Sequence, residues 1–330
     1  MHKVALIGAG RMGQCHAAHL AAHPSLDLAY IVERDTAAAN AIVQAYGAAT
    51  VSFAEMLADP TVEGVVICSS TDQHLSQTTE ALSVGKAVFC EKPIGLELAE
   101  VIAATPDEGA PPFLLGLNRR FDPNIRQLAN RLHSGEIGKV ESLRIVNHDP
   151  ASPKASFVSR SGGIFKDFTL HDLDLATWLL GEPIVEVFAA GSRLIDSTYA
   201  DYDDFDTVRT ILKTQSGALC CISNTRRSGC GYDQRLEAFG SHGRLSTDNL
   251  HTSNIGIRQS DGDHRLPIFP DFMSRYEESY RAESDHFAKI LSGEEAPKVT
   301  YQDGIHALRL AEACVQSART NQQIKISQDK

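Results

Sequence analysis

The sequence predicts an α/β protein in two parts. A doubly wound parallel-sheet domain spans residues 1–120, and an α+β domain with a large, open, mostly antiparallel sheet spans 121–330. Three observations carry this. Short, wholly apolar runs alternate with helical segments through the first third of the chain. A Gly8-x-Gly10-x-x-Gly13 loop follows the first of those runs. After about residue 120 the runs lengthen and begin to alternate in polarity. Wholly apolar strands separated by helices need cover on both faces, as in a parallel sheet, whereas alternating strands need it on one face only.

Bulk properties narrow the class. At 330 residues the chain exceeds what one core usually serves, so two domains are expected. Apolar residues make up 42% and charged residues 22%, which excludes disorder as the main state. The net charge of −11 argues against nucleic-acid and anionic-membrane partners, both of which attract a basic face. No apolar run approaches the roughly 20 residues of a membrane-crossing helix, and "MHKVALIG" already looks like a strand rather than a leader, so a cytoplasmic location is expected. The seven cysteines are odd in number and include no CxxC pair. Reduced thiols are the simpler reading, with no metal site and no disulfide framework.

The elements follow in order. "KVALIG" reads as a strand, "RMGQCHAAHLAAH" as a helix, "LDLAYIVE" as a strand and "DTAAANAIVQAYG" as a helix. "GVVICSS", "AVFCEKP" and "PFLLGLN" supply further buried strands, with "TDQHLSQTTEALSVG" as the helix after the first of these. Beyond residue 120, "VESLRIVNHD", "IVEVFAAGSRL", "DTVRTILKTQSGALCCISNTR", "QRLEAFGSHGRLSTDN" and "NIGIRQSDG" read as longer strands, with hairpin turns at "TQSGA" and "GSHGR". The open face of such a sheet needs cover, and self-association provides it. Residues 275–320 read as two amphipathic helices around "SGEEAPKVTYQDG".

The glycine loop sits directly after a strand and opens a helix. In that context the first glycine makes the tight turn, the second admits a pyrophosphate to the backbone, and the third lets helix and strand pack closely. The helix N-terminus presents partial positive charge to phosphates. The front domain is therefore read as a Rossmann dinucleotide-binding domain. Gly8, Gly10, Arg11, Met12 and Gly13 form its loop, and Glu33 ends the second strand 20 residues after Gly13, placed to accept from ribose hydroxyls. Arg34 follows, where it could stack on adenine or meet a 2′-phosphate. Glu33 would repel a 2′-phosphate, so NAD is preferred over NADP. Ser69 and Thr71 of "CSSTDQH" end another strand and line the crevice; His74 opens the next helix and is counted with them, local packing being its alternative. "FCEKPIG" places Glu91 and Lys92 at a further strand end, before a proline whose bond could be cis.

The stretch "SGGIFKDFTLHDLDLATWLLG" (161–181) is apolar yet carries Asp167, His171, Asp172 and Asp174. On a continuous helix Asp167, His171 and Asp174 fall at i, i+4 and i+7, one polar ridge on an otherwise buried element. Oxidising an alcohol with a nicotinamide removes a hydride and a proton. Histidine suits the proton acceptor, lysine suits a donor to the nascent alkoxide, and a carboxylate can orient the imidazole. Lys92, Asp167 and His171 supply these groups from the two domains.

These blocks resemble the glucose–fructose oxidoreductase / inositol dehydrogenase family over nearly the whole chain. The likeness is carried by "GAGRMGQCHA", "EKP", "GLNRRFDPN", "SGGIFKDFTLHDLDLATWLLGE", "RRSGCGYDQRLEAFGSHGRLS" and "YQDGIHALRLAEA". It implies NAD-dependent oxidation of a cyclic polyol, myo-inositol to its 2-keto product, with His171 as base, Lys92 on the reacting hydroxyl and Asp167 completing the set. It also implies that Arg119, Asp149, Asp174 and Tyr232 bind substrate, and that the protein is a homotetramer built on the C-terminal sheet. Another inositol isomer or a pyranose sugar stays open as substrate, and a non-catalytic nucleotide-sensing regulator stays open as a different class. Against the family pattern, "AEVIAATPDEGAPPFLLG" is shortened, which implies one trimmed Rossmann helix.

Other features receive plainer readings. His16, His19 and His23 recur at i, i+3 and i+7 and are read as a solvated or interface helix face rather than a metal site. The acidic run "YADYDDFD" (199–206) is read as a solvated loop, and Arg226 and Arg227 as structural or interfacial.

Overall fold

The computed structural model describes residues 1–327 of the chain. They form two compact units, one of Met1–Phe121 with Glu278–Leu308, the other of Asp122–Glu277 with the chain from Arg309 onward. The first unit corrects the single cut after residue 120: residues Glu278–Leu308 return to pack with the front domain. Their apolar stripe explains why. On helix Glu277–Leu291, Phe287 is fully buried and its ring lies 5.8 Å from that of Phe89. A Cβ at Gly64 would stand only 2.9 Å from the Phe287 ring, so the sheet accepts this helix at a residue without a side chain. An amphipathic pattern announces a buried face but not which sheet buries it.

Strands β1 (His2–Ile7), β2 (Leu26–Val32), β3 (Ala49–Thr50), β4 (Gly64–Ile67), β5 (Ala87–Glu91) and β6 (Phe113–Gly116) form a wholly parallel sheet in the order β3-β2-β1-β4-β5-β6. Val4, Leu6, Val65, Val66, Val88 and Phe89 are fully buried, as strands covered on both faces must be. The order reverses between β1 and β4, and ligands of such sheets bind outside the strand ends at that reversal. Helix Thr36–Tyr46 begins at Asp35, whose side chain accepts from the backbone N–H of Ala37 and Ala38, and ends at Gly47 with φ 80°. Before β6, helix Leu98–Ala103 has six residues.

The second unit holds β7 (Val140–His148), β8 (Ile184–Ser192), β9 (Thr207–Thr214), β10 (Leu219–Thr225), β11 (Asp233–Gly240), β12 (Gly243–Thr247), the hairpin β13 (Gly256–Gln259) and β14 (Gly262–Arg265), and β15 (Ile324–Lys325). Seven of these form one sheet in the order β12-β11-β7-β10-β9-β8-β15. Only β7 and β10 pair in parallel; the remaining pairs are antiparallel. Val208, Thr210, Leu212, Cys220 and Ile222 point inward, while Ile211, Leu219 and Phe239 on the alternate phase are exposed. Hairpins at Gln215–Ala218 and Ser241–His242 fall on the two expected turns. Helix Leu170–Leu180 buries Leu173, Leu175, Ala176 and Leu179 and stops at Gly181 with φ 65°.

All seven cysteines are free thiols. Among the described residues, no helix is long and apolar enough to cross a membrane.

Candidate active site and cofactor site

The glycine loop separates packing from ligand demands. Gly8 has φ +94°, and a Cβ there would stand 2.5 Å from the Cys68 carbonyl oxygen. A Cβ at Gly13 would lie 2.0 Å from the Gly8 carbonyl oxygen. At Gly10 a Cβ would meet nothing within 4 Å, and its φ of −66° suits any L-residue. The fold thus requires glycine at 8 and 13, while Gly10 leaves bare backbone facing open space. Helix Arg11–Ala22 starts there with no side-chain cap from Gly10 and no acidic residue in its first turn, a helix start whose partial positive charge suits an anion. A dinucleotide pyrophosphate fits this cradle.

Glu33 is bound into the same loop. Its carboxylate accepts from the backbone N–H of Ala9 at 2.7 Å, Arg34 at 2.7 Å and Asp35 at 2.9 Å. Burial works to raise its pKa, but the three N–H donors outweigh it and hold the carboxyl below the usual range. Three donors still leave this carboxylate lone-pair capacity for a ribose hydroxyl. Ser69 donates from Oγ to Gln77 at 2.6 Å, and Thr71 begins helix Thr71–Ser83. His74 is buried, with Nδ1 2.8 Å from the Pro93 carbonyl oxygen and Nε2 3.1 Å from that of Ser69. Burial lowers its pKa. The ring therefore sits between two strand-end carbonyls and donates to one of them, the local packing alternative.

Lys92 follows β5, is half-buried, and is joined to Pro93 by a cis peptide bond. Its backbone N–H donates to Glu91 Oε2 at 3.3 Å, and Glu91 Oε1 lies 2.8 Å from His16 Nε2. His16 is fully buried, edge-on to Phe89 and Tyr280, so the solvated-face reading of the three histidines fails at its first member. Arg119 is buried in the short turn Asn118–Phe121 of the same unit.

In the second unit, Phe165–Thr169 is a π turn that runs into helix Leu170–Leu180. A π turn closes from i to i+5 and so shifts the phase of residues before Leu170. The element that carries Asp167 is therefore a π turn rather than part of the continuous α-helix expected, with His171 and Asp174 on the helix that follows. His171 is half-buried, and Asp174 is buried on the helix rather than lying on an open edge. Asp167 is also linked to Asp149, through a residue the functional reading set aside. Arg226 Nη2 donates to Asp167 Oδ2 at 3.1 Å, and its Nη1 is 3.6 Å from Asp149 Oδ2. Tyr232 is buried, its ring 5.6 Å from Tyr276 and 6.5 Å from Phe272.

Asp172, named in the sequence without a role, is the anchor of the helix. Its Oδ2 accepts from Asn147 Nδ2 at 2.9 Å and Asn224 Nδ2 at 2.7 Å. Those asparagines stand side by side in the parallel β7–β10 pair, both on the buried phase. Two asparagines at inward strand positions are the signal that could have found this contact.

A reversing parallel sheet with a bare-backbone glycine cradle defines a dinucleotide-binding domain of the oxidoreductase kind. The comparisons place the chain within that class. Residues 2–105 match the oxidoreductase family with an NAD-binding Rossmann fold, and residues 125–246 match the GFO/IDH/MocA C-terminal domain. The chain is 41% identical to inositol 2-dehydrogenase of Rhizobium meliloti, over 98% of each protein. It is 32% identical to the NAD(+)-dependent scyllo-inositol 2-dehydrogenase of Bacillus subtilis, over 98% of this chain and 96% of that protein. The crystal structure of a myo-inositol dehydrogenase from Corynebacterium glutamicum superposes with a TM-score of 0.94 at 38% identity, covering 99% of both chains. The chain belongs to the GFO/IDH/MocA family of NAD-binding oxidoreductases.

Proposed function

We propose that this protein oxidises myo-inositol at C2 to the corresponding ketone with NAD. Bound at the glycine loop, NAD supplies the hydride acceptor. His171 takes the proton of the reacting hydroxyl, Lys92 donates a hydrogen bond to that oxygen as negative charge grows on it, and Asp167 completes the catalytic set. Arg119, Asp149, Asp174 and Tyr232 hold the other hydroxyls; a polyol needs many such groups, because each buried hydroxyl left without a partner costs about 1–3 kcal/mol. Gly8, Gly10, Arg11, Met12, Gly13, Glu33, Arg34, Ser69, Thr71, Glu91 and Lys92 surround the cofactor, and His74 packs locally.

The observation that carries the reading is the 165–174 segment. An otherwise buried helix keeps a partly exposed imidazole, and the turn before it keeps a carboxylate, 13% exposed, tied to a buried Arg226. A purely structural helix gains nothing from either. The decisive experiment is absorbance at 340 nm with NAD or NADP across a panel of inositols and sugars. Turnover that is fastest with NAD and myo-inositol is expected. Fastest turnover with scyllo-inositol or a pyranose reassigns the substrate, and tight nucleotide binding without any turnover establishes a nucleotide-sensing regulator.

We also infer a homotetramer built on the second unit's sheet. Ile211, Leu219 and Phe239 are 45%, 45% and 49% exposed on one strand phase, an apolar surface that water tolerates poorly. Light scattering reads the state directly. The free thiols accord with a reducing, cytoplasmic compartment.

A further inference from the structure

We propose that Arg226 is the positioning residue for Asp167, aiming that carboxylate from a buried guanidinium shared with Asp149. The proposal rests on Asp167 belonging to the catalytic set.

Arg226 follows β10 immediately, and its backbone N–H donates to the Asp206 carbonyl at 2.9 Å, which fixes its Cα. Asp149 follows β7, and its N–H donates to the Thr225 carbonyl at 2.9 Å, so the two strand ends are locked side by side. From that base the guanidinium, only 3% exposed, reaches Asp167 Oδ2 at 3.1 Å and lies 3.6 Å from Asp149 Oδ2. The first contact is a charge-assisted hydrogen bond; the second is an ion pair too long for one. The Arg226 Cζ also stands 5.1 Å from the centre of the Phe168 ring. One planar cation thus holds two consecutive residues of the π turn.

That turn needs an external hold. Its backbone departs from the regular α ladder, so the direction of Asp167 depends on what it is tied to. Asp204 secures the approach, accepting from the Ile164 backbone N–H at 2.9 Å. Burial alone would weaken the charge on Arg226, but Asp167, Asp149, Tyr199 and Asp204 face it and raise its pKa instead. A buried cation is costly, and an apolar side chain of similar volume commonly packs as well or better. Keeping arginine here is explained by the carboxylates it orients.

The test compares Arg226→Met, Arg226→Lys, Asp167→Asn and the Asp167→Asn/Arg226→Met double variant, each purified and checked by circular dichroism. Arg226→Met should lower kcat about 10- to 100-fold, the penalty of a group displaced by about 1 Å, with NAD affinity unchanged and KM moved far less than kcat. Arg226→Lys should fall between, because one ammonium keeps the charge but cannot serve two carboxylates in fork geometry. In the Asp167→Asn background, Arg226→Met should cost less than about two-fold more, since both changes remove one interaction. Wild-type kcat in a folded Arg226→Met protein, or fully multiplicative losses in the double variant, overturns the proposal. Should the methionine variant not fold, wild-type kcat in Arg226→Lys overturns it equally. Full turnover in Asp167→Asn overturns the catalytic reading of Asp167 and the proposal with it, whereas a damaged Asp167→Asn beside an undamaged Arg226→Met overturns the proposal alone.

Discussion

His16 Nε2 lies 2.8 Å from Glu91 Oε1, and both residues are buried beside the strand end that continues into Lys92. A second carboxyl, Glu283, is fully buried in the same unit, and neither of its oxygens has a hydrogen-bond partner among the described residues. Burial, and then the charge of Glu91, raise the Glu283 pKa well above the ordinary glutamate range. The folded chain therefore keeps a proton on Glu283 that the unfolded chain releases above that range. Folding takes up a proton there, so stability falls as pH rises through the window. Glu283→Gln removes the dependence. Its melting temperature should exceed that of the wild type by a margin that grows from about pH 5 to about pH 8. A constant or shrinking margin in parallel thermal melts would show that Glu283 is ionised in the fold.

The glycine loop yields a contrast between two similar substitutions. Gly13→Ala drives a Cβ to 2.0 Å from the Gly8 carbonyl oxygen, which is backbone and cannot yield cheaply. Overpacking of this kind costs about 1–3 kcal/mol, so the melting temperature should drop by roughly 4–10 °C and NAD affinity with it. Gly10→Ala meets no protein atom within 4 Å and keeps an allowed φ of −66°. It should melt like the wild type yet bind NAD about ten-fold or more weakly, because the new methyl stands where the pyrophosphate approaches. Calorimetric titration with NAD and a thermal melt separate the two; equal NAD affinity in Gly10→Ala would remove the cradle from the pyrophosphate site.

Much of this was legible in the sequence because it rests on local pattern. The run Val4–Ile7 and the glycines after it state a strand, a turn and a close approach within a dozen residues, and Glu33 marks the end of the next strand. What stayed hidden depends on partners distant in the chain. His16 looked like a surface histidine because nothing in "HAAHLAAH" announces Glu91, 75 residues away. The π turn was invisible because one extra residue per turn leaves no mark on composition. Arg226 read as structural because Asp167 lies 59 residues upstream and only the fold joins them.

Asp172 supplies the matching stability prediction. Its Oδ2 joins the helix to β7 and β10 through Asn147 and Asn224. Asp172→Ala leaves two buried amides without this acceptor, at about 1–3 kcal/mol each, and opens a small void. The unfolding free energy should fall by roughly 2–5 kcal/mol in urea titration. Asn224→Ala removes one of the two contacts and should cost less. Wild-type stability in Asp172→Ala would mean that solvent already satisfies these groups.

His171→Ala tests the proton acceptor itself. General-base catalysis is worth about two to four orders of magnitude, so kcat with NAD and inositol should fall at least a hundred-fold. NAD affinity should stay within about two-fold, because the glycine loop and Glu33 belong to the other unit. Stability should change little, since His171 is only half-buried at the start of its helix. The vacated space also admits a small base, so added imidazole should restore part of the turnover in a saturable way and leave the wild type unaffected. The rescue distinguishes proton transfer from packing: a helix merely loosened by the substitution regains nothing from imidazole. Near-normal kcat in the variant would move proton transfer to another group on the chain.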